Sequence, residues 1–135
     1  MGRVVKVDSL SPNTEYERSM THRFGVTDDT VAAEKITMTR GSIGPGKRTR
    51  AHYHINAELA MFVLSGQVRC IFGMPGVEVH EEIAGPNCFI YVPRGEVHVF
   101  ENLSKTESAE WIAAYGGVPS GEATGKFAVE PPLGL

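Results

Sequence analysis

Short turn-forming segments recur along this chain at nearly regular intervals, and that rhythm limits the fold more than any other feature. They are Gly44-Pro45-Gly46, Ser65-Gly66, Met74-Pro75-Gly76, Gly85-Pro86-Asn87, Pro93-Arg94-Gly95, Asn102-Leu103-Ser104 and Gly116-Gly117-Val118-Pro119. From the second onward most lie 8 to 13 residues apart, and the intervals read as strands over 59–64, 68–72, 77–83, 89–92, 97–101 and 111–115. Short strands with turn chemistry between them predict an all-β sandwich or barrel. The 77–83 interval alternates apolar and polar in its first half, as a half-buried strand does. The 59–64 interval is apolar throughout, which predicts cover on both faces, with one face lining a cavity. Helix signals are poor. Asp28-Asp29-Thr30 could cap and start a helical turn, but Ile36-Thr37-Met38-Thr39 is β-rich, so 31–39 reads as mainly strand.

The chain reads as one domain over 1–135: an N-terminal arm and edge strand in 1–30, a barrel in 31–116 and an extended, Gly/Pro-rich tail in 117–135. Phe127 and Val129 in that tail need cover, from the barrel or from a second protomer. Formal charge is -3, from 13 Lys+Arg against 16 Asp+Glu. That balance argues against a nucleic-acid partner, which calls for a basic face, and against a membrane-surface helix. No run approaches the ~20 apolar residues of a membrane span. Residues 1–10 hold no signal-peptide core, and Cys70 and Cys88 stand without CxxC spacing. A reducing cytoplasm is therefore expected. Both cysteines lie in apolar strands and read as core.

The chemistry concentrates in two segments. In Ala51-His52-Tyr53-His54-Ile55-Asn56-Ala57-Glu58, residues two apart on a strand share a face, so His52 and His54 present two imidazoles side by side while Tyr53 points away. A short turn at Ile55-Asn56-Ala57 could bring Glu58 back across from them. Two neutral imidazoles and a carboxylate meeting at one point make a divalent transition-metal site. In the second segment Pro93-Arg94-Gly95 launches a strand that carries His98. Asn102 follows, placed to close the next turn through side-chain to backbone hydrogen bonds.

Together these segments resemble the two signature motifs of the cupin superfamily. The first, G-x5-H-x-H-x3-4-E-x6-G, is matched by Gly46-x5-His52-x-His54-x3-Glu58-x7-Gly66. The second, G-x5-P-x-G-x2-H-x3-N, is matched by Pro93-x-Gly95-x2-His98-x3-Asn102, with Asn87 in place of the leading Gly. The resemblance implies a double-stranded β-helix, a jelly-roll barrel with little helix. It also implies one divalent metal (Fe, Mn, Ni or Zn) held by His52, His54, Glu58 and His98. Four protein ligands on a six-coordinate ion leave two positions for water, dioxygen or a chelating substrate. Asn at 87 suits a left-handed backbone. The seventh residue before Gly66 puts Leu59 where strict alternation places the family's Glu. A bulge or longer turn would restore Glu58, and without one a three-His site remains.

Phe62, Phe100, Trp111 and Tyr115 are candidate pocket walls, with ordinary core packing as the alternative. His22 and His80 lack partner spacing and read as solvent-exposed. Lys47, Arg48 and Arg50 read as a solvated strand edge that could steer an anion. A metal-dependent enzyme acting on a small chelated substrate is expected, a dioxygenase narrowly ahead of a redox-neutral isomerase, lyase or cyclase. A non-catalytic binding barrel ranks behind both. A homodimer of C2 symmetry is the expected assembly.

Overall fold

The computed structural model describes residues 1–73 and 78–130. The turn read at Met74-Pro75-Gly76, the first residue of the 77–83 strand and the last five residues of the tail lie outside that range. Ten strands follow in chain order: β1 (Met20–Val26), β2 (Ile36–Ile43), β3 (His52–His54), β4 (Glu58–Ser65), β5 (Val68–Gly73), β6 (His80–Ala84), β7 (Phe89–Val92), β8 (Val97–Asn102), β9 (Ala109–Gly116) and β10 (Lys126–Ala128). They form two antiparallel five-stranded sheets, ordered β1-β2-β9-β4-β7 and β10-β3-β8-β5-β6. This is the jelly-roll, double-stranded β-helix arrangement. One α-helical turn, α1 (Asp28–Val31), and two 3-10 turns complete the described residues. Among these no helix is long and apolar enough to cross a membrane.

The core lies between the inner faces of the sheets, where period-2 alternation sends every second side chain. In β9, Ala109, Trp111, Ala113 and Tyr115 are buried, and in β4, Leu59, Met61 and Val63 are buried. Each large apolar side chain so placed contributes about 1.5–3 kcal/mol. Those on β4 fix its register. The opposite facing would put the Glu58 carboxylate inside in place of these apolar side chains.

Three local expectations need correction. Residues 31–35 are not strand: Thr27 caps α1 through its side chain, Thr30 returns the bond to the Thr27 N–H, and the strand starts at Ile36. This reciprocal capping satisfies two otherwise orphaned donors, which the β-rich residues that follow obscure. The outer face of β4 is uncovered: Ala60 and Leu64 are exposed and Phe62 is half-buried. His22 is not solvent-exposed but buried, on the β1 face it shares with Met20.

The turns behave as their residues require. Asn87 adopts φ 69, the left-handed conformation that the family fills with Gly. Gly66 has φ 85, and a Cβ there would sit 2.8 Å from the backbone and Cβ of Ala109, so Gly is required on both counts. Asn102 is fully buried, and its amide donates to the carbonyls of Ile43, Gly44 and Glu107 while its oxygen accepts from the Ser104 N–H. It therefore pins the end of β8 to the end of β2 and to the loop before β9. The tail packs back on the barrel. β10 pairs with β3, and Phe127 stacks on Tyr53 with ring centroids 5.6 Å apart.

Candidate metal centre

Antiparallel pairing of β3 with β8 sets His52 directly across from His98, and His54 follows two residues along on the same inward face. One ligand atom from each of the three imidazoles lies within 4.8 Å of the others. The ring centroids are 4.3 Å apart for His52 and His98, 5.1 Å for His52 and His54, and 5.2 Å for His54 and His98.

The backbone fixes the tautomers of two of them. His52 Nδ1 bonds to the Arg50 carbonyl at 2.7 Å and His98 Nδ1 to the Glu96 carbonyl at 3.0 Å. A carbonyl oxygen only accepts, so both Nδ1 atoms carry the proton and both Nε2 atoms carry the lone pair. His98 Nε2 is buried and has no hydrogen-bond partner. Burial is the largest influence on all three rings and pushes each pKa down to about 3. Mutual repulsion within the cluster and the nearby Lys126 act in the same direction. The rings are neutral imidazoles at physiological pH, the form a metal needs. Three inward, neutral imidazoles, two of them with a free Nε2 and one of those wholly unpartnered, fit a transition metal of the Zn, Fe, Ni or Mn kind.

Glu58 is not part of this cluster. It is exposed on the outer face of β4, where its Oε1 accepts a bond of 2.7 Å from the Tyr91 hydroxyl. A bulge does occur in β4, between Val63 and Ser65, yet Leu59 still takes the inward place. Among the described residues, what the structure brings together is a three-His set without a carboxylate.

Phe100, Trp111 and Tyr115 line the small cavity beside the histidines, together with Leu59 and Met61. Its volume is about 10 Å³, room for roughly one water molecule. Phe62 does not belong to it. Its ring lies on the outer side of β4 against Phe89, with centroids 5.0 Å apart. A much larger groove of about 570 Å³ opens near β6 and β7, but none of the three histidines lines it. The cavity beside the neutral donors is the candidate site, because His52 and His98 line it. Cys70 is buried with its thiol pushed up to about 12 by burial, and Cys88 packs at the edge of the core. Both behave as small hydrophobes. His80 and Lys47 are exposed, as is Arg48.

Four neighbours of the site carry no motif and are visible only in the fold. Tyr16, from the N-terminal arm, places its hydroxyl 3.1 Å from His54 Nε2 and 2.9 Å from Thr124 Oγ1. Glu17 is buried, with Oε2 3.7 Å from His52 Nδ1 and 3.1 Å from Lys126 Nζ, while Oε1 lies 3.5 Å from Arg50 Nε. Lys126 also donates to the Tyr16 carbonyl. His22 bonds Thr39 through Nδ1 at 3.2 Å and leaves Nε2 without a partner. Burial, reinforced by Lys126, lowers its pKa to about 4. The alternation of Met20, His22 and Phe24 was a signal that could have placed His22 inside. For Tyr16, Glu17 and Lys126 no spacing gave one.

Among curated proteins no sequence match is found. Among solved structures, the polyketide cyclase RemF from Streptomyces resistomycificus is similar at 21% identity and a TM-score of 0.69, over 86% of this chain and 80% of that one. An oxalate oxidase matches at 18% and 0.72, over 93% of this chain and 63% of that one. The oxalate decarboxylase from Bacillus subtilis matches at 18% and 0.76, over 96% of this chain but only 33% of the decarboxylase, so the chain spans about a third of that protein. At these identities the likeness is one of fold. The family model described as "Cupin domain" matches residues 39–115, which includes β3, β8 and all three histidines. On that match, more than half of its length, this chain belongs to the cupin family.

Proposed function

We infer that this chain is a metal-dependent enzyme that acts on a small organic substrate held through its oxygens at His52, His54 and His98. The observation that carries the reading is the convergence of three neutral, buried imidazoles with the lone pair of His98 Nε2 left unpartnered inside the barrel. Leaving such a donor unsatisfied costs about 1–3 kcal/mol, a sacrifice that a ligand at this point would reverse. A divalent ion there supplies Lewis acidity toward a chelated carbonyl or enol and can bring substrate and dioxygen together.

The protein's own contributions are orientation, charge and exclusion of water. The Arg50 and Glu96 carbonyls hold two rings in the donor tautomer. Leu59, Met61, Phe100 and Trp111 keep the site dry, which strengthens electrostatic interactions within it. The cavity is small, so the substrate must be small.

An ion held by His52, His54 and His98 would keep coordination positions for a chelating substrate and dioxygen, which favours a dioxygenase. Among the described residues the cluster holds no carboxylate, which favours the second reading, a redox-neutral isomerase, lyase or cyclase, because an ion held there would keep more of its positive charge for polarising a carbonyl. The similarity to a polyketide cyclase over most of that protein's length accords with the second.

The test is turnover of a panel of 1,3-diketones, enols and 2-hydroxy acids by protein loaded separately with Fe(II) and Zn(II), with and without oxygen. Oxygen uptake stoichiometric with substrate loss, by the iron form alone, is the dioxygenase result. Equal turnover without oxygen is the redox-neutral one. Binding of substrates without turnover by any metal form would overturn the enzyme reading and leave a small-molecule-binding barrel.

A further inference from the structure

With Glu58 outside the barrel, the site lacks the oxygen donor that its motif leads one to expect, and one other oxygen stands where a donor could act. The Tyr16 hydroxyl lies 3.1 Å from His54 Nε2. Two donors bound to one ion at about 2.1 Å and set near a right angle lie about 3.0 Å apart, so this separation suits adjacent ligands as well as it suits a hydrogen bond.

The direction of the hydroxyl follows from its second partner. Thr124 Oγ1 lies 2.6 Å from the Gly121 carbonyl, which can only accept, so the threonine proton is committed there. Thr124 must then accept from Tyr16 across 2.9 Å. The phenol proton points to Thr124, and the oxygen's lone pairs are left to its other two neighbours, His54 and the hydroxyl of Tyr115. Thr124 is fully buried, which holds this direction.

The arm that carries Tyr16 is itself fixed. Asn13 Oδ1 accepts from the N–H groups of Glu15 and Tyr16, both at 3.0 Å. The Lys126 ammonium lies 4.7 Å from the centre of the Tyr16 ring, and the Tyr16 ring lies parallel to that of His54 at an interplanar angle of 4°. Among the described residues the nearest carboxylate, Glu17, is on the wrong side of His52. It approaches Nδ1, not Nε2, and is held by Lys126 and Arg50.

We propose that Tyr16 supplies the oxygen donor of this metal centre, so that the site is a three-His, one-Tyr set closed by the N-terminal arm and oriented by Thr124. This inference rests on the three-His reading above. It gives the arm a function in metal binding and leaves Glu58 with none.

Ferric iron takes phenols as phenolates, with the proton released to the buffer, and a phenolate on ferric iron absorbs strongly in the visible. Metal-free protein is titrated with Co(II) to establish binding, then loaded with Fe(III) and its visible spectrum recorded, with Tyr16→Phe and His98→Ala beside the wild type. The expected result is an intense visible band in the wild type that Tyr16→Phe lacks, with Co(II) affinity about 10-fold or more weaker in that variant. Stoichiometric Co(II) binding with no such band on ferric loading overturns the Tyr16 assignment and leaves the three-His site standing. No Co(II) binding by the wild type overturns the three-His reading, and this inference with it. The band is read in the wild type, so the outcome does not depend on whether Tyr16→Phe folds.

Discussion

Glu58 on β4 and Tyr91 on β7, where Tyr91 pairs with Ala60, meet diagonally on the outside of the barrel, joined by a 2.7 Å hydrogen bond from the phenol to the carboxylate. The bond to Glu58 is the largest of the influences that raise the Tyr91 pKa. The acidic residue of the first cupin motif is thus occupied on the surface, one position out of register with the site. Glu58→Gln should leave bound metal per chain unchanged within error, as read by plasma mass spectrometry. A loss of half or more would show that Glu58 turns inward when metal binds.

The buried histidines make the metal-free fold sensitive to acid. His22, His52, His54 and His98 have pKa values lowered to about 4, 3, 3 and 3, against 6.5 when exposed. Below pH 6.5 the unfolded chain takes up protons that the folded chain refuses, so stability is fully present above that pH and falls as pH drops toward the folded-state values. One such group costs about 1.4 kcal/mol per pH unit in that window. Urea unfolding of metal-free protein should show at least about 2 kcal/mol less stability at pH 5 than at pH 7.5. Equal midpoints at the two pH values would contradict neutral burial of these rings.

Asn102 ties three carbonyls and one N–H across the end of the barrel. Asn102→Ala strands those groups in a buried place and should cost roughly 2–4 kcal/mol in urea unfolding. A cost below about 0.5 kcal/mol would mean that the loop after β8 is reorganised without it.

Gly41 lies on β2 directly opposite Trp111 on β9, and a β-carbon there would overlap the indole ring. Trp111 is also a wall of the cavity, so the clash cannot be relieved without moving the site. Gly41→Ala should destabilise by about 1–3 kcal/mol and lower metal affinity together with stability. A calorimetric melting temperature unchanged from wild type would contradict this packing.

How much of this was legible depended on whether the information is local. Phe89–Val92 stands as read, and β5, β8 and β9 came within two residues at either end, because turn residues and period-2 alternation act over a few positions. The pairing of His52 and His54 on one face is likewise a property of any strand. Their meeting with His98 rested on the resemblance, since sheet pairing joins residues far apart in sequence. The facing of Glu58 was the hard case. A single-residue slip reverses it, and the choice was made by the burial of Leu59, Met61 and Val63, which compete with Glu58 for the interior. Tyr16, Glu17 and Lys126 were unreadable for another reason: they reach the site from an arm and a tail whose docking leaves no periodic trace.

The central claim is that His52, His54 and His98 hold a metal ion, and metal content tests it most directly. Tag-free wild type purified without chelator should carry close to one transition-metal ion per chain, and His98→Ala, which removes the unpartnered donor, should lose it while keeping its far-UV circular dichroism. A wild type that remains metal-free after reloading with Fe(II), Zn(II), Ni(II) and Mn(II) would contradict the account and leave the three imidazoles as a neutral buried cluster.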